Sequence, residues 1–351
     1  MMCVIFMHLA AGPLRVDVQY LGKSWHLLNL ATSLAFTAVA LFFMMSGYLL
    51  LSSPHTADVG YLLKKRLPRL VVPLLFWSAA AALELSLLDH TGLAGAVDRF
   101  AAVGSGCVMI HMWFMYPLIA LYLISPFLYG GINGLNDEGR RYLLVLIVVS
   151  MVILTAQTVL PPEVSPYLPY KIPAEMALFG GHIAAVLLGW YLGLSQRKLP
   201  TGLVLGIGLA DWAFITFMTW RRTLTSGGYD AAFQTQSRGF ELLLAVCMFL
   251  FFKQSMDRPL GVLHRITGPV ASLAFPIYLM HNLVILVLER RVLPVDNALQ
   301  VVFSTFCVAA LCYLLLKTAA TIPGISYLVT GMSFREASRS CNWLYTFRKR
   351  R

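Results

Sequence analysis

Apolar residues run along this chain in long blocks, with polar residues gathered in short gaps between them. Blocks long enough for a helix to cross a bilayer fall at 30–52, 67–88, 108–129, 141–160, 177–195, 201–219, 237–252, 268–289 and 298–318. A helix needs about 20 apolar residues to span the hydrocarbon, so each block predicts one crossing. Met1 to Ala11 is also apolar but about half that length, and Gly12-Pro13 closes it. It has neither the charged start nor the small-residue cleavage site of a secretion signal. The length requirement therefore predicts a further helix that begins upstream and is truncated here, with an internal start at Met1. The expected fold class is all-α, a polytopic membrane bundle of about ten transmembrane helices over 1–322, followed by a basic cytoplasmic tail over 323–351.

Composition narrows the classes. Of 351 residues 58% are hydrophobic and 12% charged, against roughly 25% charged in soluble domains. Mean hydropathy is +0.73. Too little polar surface is present to cover a water-facing globule, which excludes a soluble enzyme, a disordered chain and a coiled coil. The net charge of +11 is distributed rather than pooled. Lys64, Lys65, Arg66 and Arg69, then Arg140 with Arg141, Arg197 with Lys198, and Lys253, Arg258 and Arg265 recur at alternate connections. That is the positive-inside bias of a helical bundle, and no nucleic-acid recognition motif accompanies it. Of the 27 basic residues 18 fall on one side, which predicts cytoplasmic termini and a tail lying against anionic lipid headgroups. The longer opposite connections are 12–29, 89–107, 161–176 and 220–236, the third a rigid loop with five prolines between Pro161 and Pro173. Six scattered cysteines without a CxxC suggest neither a disulfide framework nor a zinc site. Gly189-x-x-x-Gly193 and Gly202-x-x-x-Gly206 are spacings that let helices approach closely.

Polar groups are expensive in hydrocarbon, so those that persist there are candidates for chemistry. His8 reads either as a histidine hydrogen-bonded between helices or as a general base. Ser46-Gly47-Tyr48 ends an apolar run, Gly47 permitting close approach of a helix or ligand and Ser46 offering a hydroxyl. Arg66 and Arg69 flank Leu67-Pro68. On one helical face they would clamp a phosphate, or else serve as ordinary topology charges. His111 and Trp113 open a span as interfacial aromatics or as a sugar-stacking platform, followed by Tyr122. Tyr278 and His281 lie late in the chain on another span.

In order, Phe42-Phe43-Met44-Met45-Ser46-Gly47-Tyr48, Arg66-Leu67-Pro68-Arg69, His111-Met112-Trp113-Phe114 and Ile277-Tyr278-Leu279-Met280-His281 follow a histidine in the first helix. Together, over about 2–318, they resemble acyltransferase family 3, integral-membrane O-acyltransferases, closest to the branch that O-acetylates enterobacterial common antigen. The resemblance implies a bundle of about ten helices in a bacterial inner membrane. It also implies transfer of an acyl group, acetyl first, from acyl-CoA to a hydroxyl of an extracytoplasmic polysaccharide or glycolipid. His8 takes the place of the family's catalytic histidine, and Arg66 and Arg69 that of its RxxR pair. Ser46 and Tyr48 are expected near the donor, and His111, Trp113, Tyr122, Tyr278 and His281 near the acceptor. No metal and no permanently bound cofactor are expected. The family's Arg or Lys eleven residues before that histidine falls ahead of Met1, which again points to an upstream start or to an inactive version. The competing expectation is a transporter or flippase for a small solute or lipid-linked glycan, though no repeat is apparent.

Overall fold

The structure, a computed structural model, describes residues 1–16, 18–159, 179–235, 239–255, 268, 270–291 and 295–348. Helices make up the core: α1 Met2–Leu14, α2 Lys23–Ala35, α3 Thr37–Leu51, α4 Pro68–Leu88, α5 Gly92–Ala101, α6 Met115–Asn133, α7 Asp137–Val159, α8 Gly181–Leu194, α9 Thr201–Ser226, α10 Gly239–Ser255, α11 Ala274–Arg291 and α12 Ala298–Ala319. Three short ones follow, α13 Ile325–Thr330, α14 Phe334–Ser340 and α15 Trp343–Arg348. Among the described residues there is no strand. Among the described residues six helices are long and apolar enough to cross a membrane, and Met2–Leu14, Gly181–Leu194 and Ala274–Glu289 are shorter apolar ones. The fold is an all-α, polytopic membrane bundle.

Three boundaries differ from the hydropathy reading. The second span begins at Lys23, because α2 and α3 run head to tail with a single turn at Phe36. Gly12-Pro13 does not close the first helix, which continues to Leu14. A proline in the last turn removes only one backbone bond. The connection 89–107 holds α5, whose small residues read as a loop. The proline-rich segment 161–176 lies outside the described residues.

Exposed apolar side chains mark the lipid side. Val145, Val148 and Val152 of α7 and Val302, Phe303 and Phe306 of α12 all point outward. Water would penalise such stripes, whereas hydrocarbon does not. Inside, α3 and α8 cross with their backbones in close approach. A Cβ on Gly47 would sit 2.0 Å from the Val186 carbonyl oxygen, and one on Gly189 would sit 2.0 Å from that of Met44. Gly193 lies beneath the Tyr48 ring. Gly202 and Gly206, by contrast, face open space, so the close approach expected there is not made.

The short helix α1 is central. Ile5, Leu9, Ala10 and Leu14 are buried, and the helix packs on α2, α11 and α12. Trp25 of α2 donates its indole N–H to the Leu14 carbonyl (3.1 Å), tying down the end of α1. The position of His8 follows from this placement.

Candidate active site

His8 is half-buried on the inner face of α1. His111 comes from a 3-10 turn, Ile110–Phe114, that leads into α6, and His281 from the middle of α11. Their rings converge, with centroids 6.1 Å apart for His8 and His111, 5.2 Å for His8 and His281, and 4.9 Å for His111 and His281. His111 and His281 are fully buried. His111 Nε2 lies 3.1 Å from the Leu279 carbonyl oxygen, and His281 Nδ1 lies 2.6 Å from that of Tyr278. A carbonyl can only accept, so each of these nitrogens carries the proton of a neutral ring. His111 Nδ1 and His281 Nε2 are thereby left as bare lone pairs, and neither has a hydrogen-bond partner among the described residues. The pair therefore accepts protons or hydrogen bonds and, while neutral, cannot donate at those atoms. Among the described residues no group of three His, Cys, Asp or Glu side chains is arranged to hold a metal ion.

Tyr278, expected near substrate, donates its hydroxyl to the His111 backbone carbonyl and so clamps the 3-10 turn to α11. Tyr122 has no ring contact with the imidazoles among the described residues; it lies within electrostatic reach of Arg66. Its carbonyl is the one that Pro126 leaves without an intrahelical donor, and the Ser125 hydroxyl supplies the bond instead, at 2.7 Å.

Trp113 stands on the other side of Phe114. His182 of α8 stacks on Phe43 at 4.5 Å and tilts towards Trp113 at 5.5 Å. Trp113 and His182, with Phe36, Gln234 and Thr235, line a cavity of about 430 Å³. Gln234 is buried and donates to Asn29 Oδ1 (3.0 Å) and Ser33 Oγ (2.9 Å), while accepting from Tyr229. Burial pushes the Tyr229 phenol above its ordinary range, so it stays protonated and able to donate. The connection 227–235 is thus anchored into α2 and closes one side of the cavity.

The two arginines take different partners. Residues 62–66 form a π turn, Leu67 N–H donating to the Leu62 carbonyl. Arg66, at its end, donates to Thr56 Oγ1 (2.7 Å) and Ser53 Oγ (2.9 Å). Arg69, in the first turn of α4, is exposed and pairs with Glu336 of α14 at 2.6 Å. The backbone under it is braced by Gly331, where a Cβ would lie 2.4 Å from the Arg69 carbonyl oxygen. Ser46 is half-buried and Tyr48 exposed near the end of α3.

Residues 1–317 match the family model described as an acyltransferase domain. The chain belongs to acyltransferase family 3. No curated protein and no solved structure matches it significantly. Its chemistry is acyl transfer, in a multi-pass membrane protein. Sequence reasoning missed two polar residues of this acyltransferase, His182 and Gln234. His182 follows Gly180-Gly181 at a span boundary, and Gln234 lies in an irregular connection, so neither sits in a periodic pattern that singles it out. It also missed Glu336, whose only local signal is the capping box it forms with Ser333.

Proposed function

We propose that this acyltransferase moves an acyl group, most simply acetyl, from cytoplasmic acyl-CoA to a hydroxyl of an extracytoplasmic polysaccharide or glycolipid. The protein sits in a bacterial inner membrane with both termini cytoplasmic, and the acceptor is a glycan of the enterobacterial common antigen kind. The observation that carries the reading is the meeting of His8, His111 and His281 inside the bundle, with lone pairs free on two of the rings.

His8 acts as general base. It takes the proton of the acceptor hydroxyl as that oxygen attacks the thioester carbonyl, a contribution of typically 10²–10⁴-fold. The tetrahedral oxyanion collapses with loss of the CoA thiolate, and the imidazolium returns its proton to sulfur, leaving ester and free CoA. Ser46 supplies a hydrogen bond to the oxyanion. The bare nitrogens of His111 and His281 accept hydrogen bonds from the acceptor or from the imidazolium as it forms. Arg66 and Arg69 hold CoA phosphates, Arg69 exchanging the Glu336 carboxylate for phosphate. Trp113 offers its face to a sugar ring in the cavity it shares with His182 and Gln234. Acyl-CoA is a substrate, and no permanently bound cofactor is required.

Inverted membrane vesicles supplied with radiolabelled acetyl-CoA test the assignment. Covalent label on a glycan or glycolipid is expected. Movement of unmodified cargo without labelled product would replace the transferase with a transporter or flippase.

A further inference from the structure

Away from the imidazoles, the ends of α6 and α8 and the start of α7 enclose a second polar pocket of about 280 Å³. Asn133, Asp137, Arg140, Arg141, Trp190 and Arg197 are among its lining residues. It lies at the same end of α3 as the arginine pair, because Tyr48 packs on Gly193 in the last turn of α8. Three guanidiniums meet one carboxylate there. Asp137 is almost fully exposed and 3.9 Å from Arg140, a weak partner. Arg141 and Arg197 make no ion pair among the described residues.

Two buried donors in this pocket have no acceptor. Trp190 is 3% exposed, and its indole N–H is unpartnered among the described residues. Arg140 Nε is likewise buried and unpartnered. Buried N–H groups are ordinarily paired, and an indole nitrogen can only donate. A cluster of donors with surplus positive charge fits a multi-oxygen anion, and guanidinium forks match phosphate geometry in particular.

We propose that this pocket binds a phosphate ester. Two sources carry that chemistry: the 3′-phosphate on the adenosine of acyl-CoA, or the headgroup of an anionic phospholipid at the membrane surface. Only the first source rests on the donor reading above. The inference concerns binding and is read without acyl transfer, so loss of the transferase proposal would leave the lipid source standing.

The test uses full-length protein in a neutral detergent, titrated with CoA, with dephospho-CoA lacking the 3′-phosphate, and with phosphatidylglycerol against phosphatidylcholine in nanodiscs. The variants are Arg141→Gln with Arg197→Gln, and Trp190→Phe, which keeps an aromatic ring and removes the donor. If the phosphate is that of CoA, the double variant binds CoA about tenfold more weakly or worse, and dephospho-CoA as wild type does. If it is lipid, CoA binding holds and the preference for phosphatidylglycerol falls. Trp190→Phe moves the same quantity in the same direction by a smaller factor and reports independently should the double variant not fold. Unchanged binding of CoA and of phosphatidylglycerol in folded variants overturns the proposal.

Discussion

His8, His111 and His281 come from three distant parts of the sequence and meet, whereas Arg66 and Arg69 stand three residues apart and part company. The difference lies in the solvent. Within hydrocarbon there is no water to satisfy a polar ring, so His111 and His281 are fixed by backbone carbonyls of α11, which also set their tautomers. Near the bundle end each arginine binds the nearest acceptor, hydroxyls for Arg66 and a carboxylate for Arg69, and a π turn between Leu62 and Arg66 sets the approach to the pair. The two rings held by main chain, His111 and His281, are preorganised. A pair held by exchangeable side chains is suited to releasing its partners when a ligand arrives.

The most severe way to break this arrangement is to force apart the helices that carry it. Gly189→Val places side-chain atoms against the Met44 backbone, where even a Cβ would be 2.0 Å from the carbonyl oxygen. The expected outcome is loss of folded protein, seen as absence of a monodisperse peak in detergent. Next come the rings. His111→Ala or His281→Ala should each lower kcat about 10²-fold or more, and the double variant should fall little further than either alone if the two act as one unit. Kinetics of the two single variants and the double variant decide this, and simple additivity would separate the rings.

The arginines should behave differently. Arg66→Ala with Arg69→Ala raises KM for acyl-CoA about tenfold or more with a smaller change in kcat, from the loss of charge-assisted bonds. An unchanged KM would return the pair to setting topology. Smallest is the Glu336 contact. Burial alone would raise the Glu336 pKa, but hydrogen bonds from Ser333 and Arg69 hold it below its ordinary value. The contact therefore contributes fully above the ordinary carboxylate pKa and is lost as pH falls below it through the lowered pKa of the folded state. With both partners over a third exposed, it is worth less than about 1 kcal/mol. Melting of wild type and Glu336→Gln should differ slightly at pH 7 and converge in acid.

Most spans were legible because a 20-residue apolar block has few alternatives in a membrane protein. The hydropathy of the second span starts late, since Lys23, Ser24 and His26 interrupt its apolar run although α2 already runs there. Gly92–Ala101 reads as connection because glycine and alanine carry little pattern. His8 and His281 are visible as polar residues within apolar blocks, but their convergence is a tertiary contact that no local pattern encodes. His182 and Gln234 were not visible. Their significance comes from the packing of α8 and of the 227–235 connection against α2 and α3, a long-range property that no local pattern encodes. The tyrosines are half legible: Tyr278 reaches the centre but spends its hydroxyl on backbone, and Tyr122 lies within electrostatic reach of Arg66.

The central claim is that the half-buried imidazole of His8 on α1 deprotonates the acceptor. The direct measurement is acetyl transfer from radiolabelled acetyl-CoA by His8→Ala protein, in vesicles holding wild-type amounts of it. His8 makes no hydrogen bond among the described residues, so the variant should fold and insert normally while transfer falls about 10²–10⁴-fold. Near-normal transfer by a folded, inserted His8→Ala protein would contradict the account.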